Sequence, residues 1–347
     1  MMLAINFSYL AAKVIFILKM NDDNSQYSVI KNRYNDDDPV LKVMVLGLII
    51  FVSMMVGVGL IAGCGYITNM DMSTIMGSLS EESQIEERNF IRTNLMINHL
   101  TTFIFPALVF TIFFYKSQWT RVLRIDKFPN IINVILGTLL ISAAFPLAQF
   151  AYWLNLQVPL PDYFVSMEES TADMIRSLLL VEQSYELWFN LFIIAVLPGI
   201  GEELIFRGIL QKKLVNRLQN PHLGIWIAAF IFSAIHMQFQ GFLSRMLLGG
   251  ILGYLFHWTG NLWVPIIAHI FNNAFQILGQ YFYQKGMVEI NLDEITVDIN
   301  WGVTLIALLL VMGLSWLMIK LNPKANASTD QASMALDDQN TILDDLR

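Results

Sequence analysis

Apolar residues in this chain come in long, nearly uninterrupted blocks separated by short clusters of charge. Eight blocks, at about 41–63, 95–115, 131–153, 187–211, 222–238, 242–258, 262–283 and 301–319, reach or approach the length of about 20 residues that crosses a hydrocarbon core. The fifth and sixth are short. Strands of a membrane barrel would alternate apolar and polar positions with period two, whereas these blocks are continuous, so the pattern predicts helices. The expected fold class is an all-α, polytopic membrane protein with about eight transmembrane helices.

Orientation follows from the basic residues. Lys31, Arg33 and Lys42 precede the first block, Lys116, Arg121, Arg124 and Lys127 join the second to the third, Lys212, Lys213 and Arg217 follow the fourth, and Lys320 and Lys324 follow the last. With eight crossings all these fall on one side, which places both termini in the cytoplasm. The opposite connections are acid-rich, with Glu81, Glu82, Glu86 and Glu87, then Glu168, Glu169 and Asp173, then Asp293, Glu294 and Asp298.

Three regions follow: a polar cytoplasmic segment over 1–39, a transmembrane domain over 40–320, and a polar, poorly ordered tail over 321–347. The apolar stretch from Ala4 to Leu18 is broken by Lys13 and lacks a small-residue cleavage site. It reads as an interfacial segment or as an extension upstream of a start at Met20. Residues 154–186 are too polar to span, but Met174 to Val181 fits a short amphipathic helix lying over the bundle.

Composition supports the membrane reading: of 347 residues, 55% are hydrophobic and only 14% charged. The net charge of −7, without any Lys/Arg-rich run carrying interleaved aromatics, argues against nucleic acid as a partner. The partners expected are the lipid bilayer and a membrane-associated peptide or protein. Cys64, the single cysteine, reads as a small apolar residue.

The fourth block breaks the apolar rule with Glu202, Glu203 and Arg207 in Leu197-Pro198-Gly199-Ile200-Gly201-Glu202-Glu203-Leu204-Ile205-Phe206-Arg207-Gly208. Each ionisable residue at membrane depth costs roughly 2.5–3.5 kcal/mol on insertion scales, so the cluster marks a candidate site. On a helix Glu203 and Arg207 are i and i+4 and can pair. Glu202 is rotated about 100° away, free to face something else. Pro198 and Gly199, one turn upstream, loosen the helical ladder. A purely structural ion pair is the competing reading.

Later blocks add His236, at the end of Phe232-Ser233-Ala234-Ile235-His236, and His269 with Asn273, again i and i+4. Polar groups on three spans must satisfy one another or line a cavity. A carboxylate and an imidazole suffice to bind and deprotonate a water, and an imidazole with a carboxamide can donate to an oxyanion, which is the chemistry of amide or ester hydrolysis. No cofactor is expected. Zinc is the rival, since Glu and two His are legitimate ligands, but His-Glu-x-x-His is absent. Neither Ser233 nor Ser244 sits in a Gly-x-Ser-x-Gly turn. His99, His222 and His257 lie near span ends and read as interfacial. His236, near the far end of a short block, is expected to come level with Glu202 through a tilted helix or a turn at Met237 to Gly241 kept inside the protein.

The ordered set Glu202-Glu203-x-x-x-Arg207, Phe232-x-x-x-His236 and His269-x-x-x-Asn273 resembles the three signatures of the CPBP (CAAX prenyl protease and bacteriocin-processing, Abi) family of intramembrane glutamic endopeptidases. The resemblance covers about 187–283. It implies a CAAX-protease-like bundle in which Glu202 and His236 activate water, His269 and Asn273 form the oxyanion site, and Glu203 and Arg207 support them. The family has also been described as metal-dependent. Together these readings give a multi-pass peptidase of a bacterial cytoplasmic membrane, its cavity reaching the cytoplasmic side. The alternatives are a non-catalytic bacteriocin-immunity or binding protein with the same polar cavity and, less favoured for want of an inverted repeat, a proton-coupled transporter.

Overall fold

The structure, a computed structural model, describes residues 39–80, 82–289 and 299–323. The expectations for the segment 1–38 with its start at Met20, for Asp293, Glu294 and Asp298, and for the tail beyond residue 323 lie outside the described residues.

Among the described residues the chain is helical and without strands. The helices are α1 (Pro39–Thr68), α2 (Met72–Ser78), α3 (Ile85–Leu123), α4 (Ile131–Leu156), α5 (Asp162–Leu179), α6 (Ser184–Leu218), α7 (Pro221–Ala234), α8 (Phe242–Thr259), α9 (Trp263–Gln284) and α10 (Trp301–Leu321). All eight apolar blocks fold as helices, which makes the chain an all-α polytopic membrane protein. Five helices, α1, α3, α4, α6 and α10, are long and apolar enough to cross a membrane by length and composition. The other three fall short of that standard for physical reasons. α7 has 14 residues, or about 21 Å at 1.5 Å per residue, and α8, although 18 residues long, carries Arg245 and His257. α9 has 22 but carries His269, Asn272, Asn273 and Gln276.

Two boundaries are corrected. The fifth block, expected to run to residue 238, ends as a helix at Ala234, because Met237 takes a left-handed φ of 54° and the chain turns. The amphipathic segment expected from Met174 begins already at Asp162 and forms the long α5, whose last turn is buried at Ser177, Leu178 and Leu179.

Burial ranks the helices. In the most apolar window of α6, 67% of residues are buried, against 17% in α1 and 11% in α10. α1 and α10 turn Phe51, Val58, Leu305 and Leu310 outward, as helices facing lipid do. α6 is the central helix. Its Leu204, Ile205, Phe206 and Ile209 pack with Phe110 of α3, Phe232 of α7, Phe256 of α8 and Ile266 of α9.

Polar ties hold the N-terminal end of α6. Arg92 of α3 is wholly buried, donating from Nη1 to Glu186 Oε1 at 2.6 Å, from Nε to Asn190 Oδ1 at 2.9 Å and from Nη2 to the Leu178 carbonyl at 2.6 Å. The second block was expected to begin only at about residue 95, whereas its helix α3 begins at Ile85 and takes in Arg88 and Arg92. Both are buried, and Arg92 joins α3, α5 and α6.

Candidate active site

α6 carries Glu202 and Glu203 between two π-helical stretches, Leu191–Val196 and Leu204–Gln211. Such wide turns recur at functional sites because they free backbone groups and re-aim side chains. Pro198 contributes directly. It has no N–H to return to the carbonyl of Ile194 four residues back, and Asn273 Nδ2 of α9 donates to that carbonyl at 3.1 Å.

The glycines of this stretch set how near the neighbours come. A Cβ on Gly199 would lie 2.5 Å from Ile270 Cγ1, and one on Gly201 would lie 2.9 Å from Phe103 Cβ. With hydrogen at these positions α9 and α3 close onto α6 from two sides, which brings His269 and His99 to Glu202.

Glu203 and Arg207 pair as expected, Arg207 Nη1 donating to Glu203 Oε1 at 2.7 Å, and both are buried. Arg207 also reaches α8, donating from Nη2 to the Gly249 carbonyl at 2.7 Å, and its guanidinium lies 4.9 Å from the centre of the Phe232 ring. His269 Nδ1 lies 2.9 Å from the same Glu203 oxygen. Since a carboxylate accepts, Nδ1 carries the hydrogen, and Nε2 faces Glu202 Oε2 at 3.8 Å.

His236 is placed by the end of α7. The last carbonyls of a helix lack intrahelical partners, and that of Phe232 takes the His236 Nδ1–H at 2.8 Å. The lone pair on Nε2 is left for other work. The turn that follows is held from both sides: Glu168 of α5 accepts the N–H groups of Phe239 and Gln240, the latter at 2.9 Å, and Ser233 Oγ donates to the Phe242 carbonyl at 2.7 Å. The Phe232 ring packs against both imidazoles, with centroids 5.1 Å from His236 and 6.1 Å from His269. Phe232, Glu202, His236, His269 and Asn273 all line one cavity of about 1200 Å³. It extends from Val43 and Leu210, near the basic ends of α1 and α6, to Tyr152 and Arg245, near the acid-rich connections.

His99, read from the sequence as interfacial, lines this cavity too. Its Nε2 is 3.7 Å from Glu202 Oε1, and its Nδ1 faces the Leu95 carbonyl at 3.2 Å. The signal that could have found it is Gly201, the bare position against which the turn after His99 packs. His222 instead meets the Tyr254 hydroxyl at 2.8 Å, away from this group. Asn272 joins the site as well, its Nδ2 donating to Asn273 Oδ1 at 3.0 Å while its own Oδ1 is buried without a partner. Among the described residues no group of three or more His, Cys, Asp or Glu side chains is placed to hold a metal ion.

Residues 184–275 match the family model described as type II CAAX prenyl endopeptidase Rce1-like. The chain is 33% identical over 89 residues to the uncharacterized protein YpbD of Bacillus subtilis (strain 168), a match covering 24% of this chain and 42% of that protein. It is 27% identical over 119 residues to the putative membrane peptidase YdiL of the same organism, covering 34% of this chain and 48% of YdiL. To the membrane-embedded CAAX protease MroQ of Staphylococcus aureus (strain USA300) it is 27% identical over 95 residues, covering 26% of this chain and 38% of MroQ. In each case the match spans less than half of the relative. No solved structure matches the chain. The segment 184–275 that matches this family model carries Glu202, Glu203, Arg207, His236, His269 and Asn273.

Proposed function

We propose that this protein is an intramembrane endopeptidase that hydrolyses a peptide bond in a membrane-associated protein or peptide. The observation that carries the reading is the setting of Glu202, a carboxylate in the wall of a largely apolar cavity with His99 Nε2 at 3.7 Å, His269 Nε2 at 3.8 Å and His236 on the same wall. A water held between Glu202 and His236 Nε2 has an acceptor for each of its hydrogens. Its oxygen attacks the peptide carbonyl, the proton passes to Glu202 or His236, and that group returns it to the departing amine. The oxyanion is met by His269 and Asn273. His269, oriented at Nδ1 by Glu203, donates from Nε2 when both ring nitrogens carry a hydrogen. Asn273 has one amide hydrogen on the Ile194 carbonyl and the other free to donate. Metal plays no part in this scheme. The relatives' printed names, a putative membrane peptidase and a membrane-embedded CAAX protease, support the same class.

The test is a comparison of wild-type protein with Glu202→Gln, by single-turnover cleavage of a membrane-anchored reporter peptide and by mapping altered C-termini in membrane fractions of cells carrying each. Cleavage and new C-termini are expected with the wild type alone. A Glu202→Gln protein that cleaves as well as wild type overturns the reading; one that keeps its full cellular effect favours a non-catalytic binding or immunity protein.

A further inference from the structure

His236 stands where α7 stops, and its own helix holds the backbone there weakly. The His236 N–H reaches the Ser233 carbonyl only at 3.4 Å, and at Met237 the chain leaves the helix with a left-handed φ of 54°. Where the imidazole points therefore depends on what fixes the residues that follow. Glu168 of α5 does so, its Oε1 accepting the successive N–H groups of Phe239 and Gln240, the latter at 2.9 Å. Two adjacent N–H groups aimed at one point make a small concavity for an anionic oxygen, and the negative charge strengthens both bonds. The Phe164 ring, one turn earlier on α5, meets the Phe239 ring edge-on with centroids 4.8 Å apart.

Other ties bear on side chains of the turn or on residues farther along. Asn155 Oδ1 of α4 accepts the Leu243 N–H at 3.0 Å, Ser244 Oγ donates to the Ala148 carbonyl at 2.6 Å, and the Tyr152 hydroxyl meets Gln240 Oε1 at 3.4 Å. Arg245 of α8 donates to the side chain and the carbonyl of Gln238 and is acted on by the charge of Glu168. Glu168 differs from these in holding two main-chain N–H groups, three and four residues after His236. Its helix is itself anchored: the Leu178 carbonyl near the end of α5 accepts from Arg92 at 2.6 Å and from Asn190 at 2.7 Å. Met174 and Leu178 of the same helix line the cavity that His236 lines.

We propose that Glu168 is a positioning residue: its carboxylate clamps the turn after α7 and so keeps the His236 imidazole aimed into the cavity that Glu202 also lines. The assignment rests on the peptidase reading and adds to it a residue from outside the matched segment 184–275. The clamp works by accepting hydrogen bonds, so it needs an oxygen at the reach of a glutamate side chain and not the charge alone. A misplacement of about 1 Å at a reacting group can cost about 10²-fold in rate, so a loosened turn shows in turnover.

The experiment uses the full chain in detergent with three variants: Glu168→Ala removes the acceptor, Glu168→Asp keeps the charge and shortens the reach, and Glu168→Gln keeps an oxygen at the same reach. In cleavage of a membrane-anchored reporter peptide, Glu168→Ala and Glu168→Asp are expected to lose about 10- to 100-fold in kcat while KM changes by less than about threefold. Glu168→Gln should retain most of the wild-type kcat. Glu169→Ala, at the exposed neighbouring position, is the control and should match wild type. A second readout needs no turnover: the rate at which diethyl pyrocarbonate modifies His236, followed by mass spectrometry with His222 as the internal reference. That rate should rise severalfold in Glu168→Ala and Glu168→Asp and little in Glu168→Gln. Wild-type kcat in Glu168→Ala, a loss carried by KM, a Glu168→Gln protein as damaged as Glu168→Ala, or an equal His236 rate in all variants overturns the proposal. If Glu168→Ala does not fold, Glu168→Asp against Glu168→Gln decides by the same two readouts. Should wild type cleave nothing, the peptidase reading falls, and the His236 rate alone decides whether Glu168 holds the turn.

Discussion

His269 Nδ1 lies 2.9 Å from Glu203 Oε1, so the second glutamate of the pair orients a histidine from another helix. The same oxygen accepts from Arg207 at 2.7 Å. Glu203 thus joins the core of α6 to the reacting face of α9, while Glu202, one residue earlier, is turned to the cavity.

Arg207→Ala should therefore damage folding as well as activity. It leaves Glu203 charged and buried and strips a donor from the Gly249 carbonyl, a loss on the order of 3–5 kcal/mol for a broken buried pair. Thermal melting in detergent should fall accordingly. Exchanging the charges, Glu203→Arg with Arg207→Glu, is expected to recover part of the folded yield but not turnover, because His269 Nδ1 then faces a donor. Wild-type melting and activity in Arg207→Ala would disprove the pairing role.

Glu202→Gln and Asn273→Ala should fail in different ways. The first keeps shape and removes the base, so single-turnover cleavage drops to near background while the protein folds. The second removes one oxyanion donor, typically worth about 10²–10³ in turnover, with KM changed far less. Equal residual activity in the two variants, measured in one assay, contradicts the division of roles.

His99→Phe tests the histidine on α3. Phenylalanine fills similar space, so melting should be unaffected within about 1 kcal/mol. Turnover is expected to fall by roughly 10- to 100-fold, the worth of a charge-assisted contact to Glu202. Unchanged turnover would return His99 to a packing role.

Purified active protein should contain no stoichiometric zinc by elemental analysis, and a chelator should leave cleavage intact. One bound metal per chain, with activity lost to chelation and restored by added zinc, would reverse the assignment of water activation to Glu202 and His236 alone.

Much of the fold was legible in the chain. All eight apolar blocks became helices, since a run of some twenty apolar residues in lipid must satisfy its own backbone. The end of α7 at Ala234 was not legible. Ile235 and Met237 continue the apolar run, and it is the left-handed turn at Met237, with Glu168 on the N–H groups beyond it, that stops the helix.

The sequence by itself determined what a single helix dictates. Positions four apart share a face, so Glu203 with Arg207 could be read from spacing, as could the separation of Glu202 from them. Only the tertiary structure decided what helices do to one another. Asn273 on the Ile194 carbonyl, His269 on Glu203 and His99 beside Glu202 each join residues from different helices. Distance along the chain carries no information about those separations. They are fixed by how closely α3 and α9 can approach α6, which the bare backbone at Gly201 and Gly199 permits and which packing alone turns into contact.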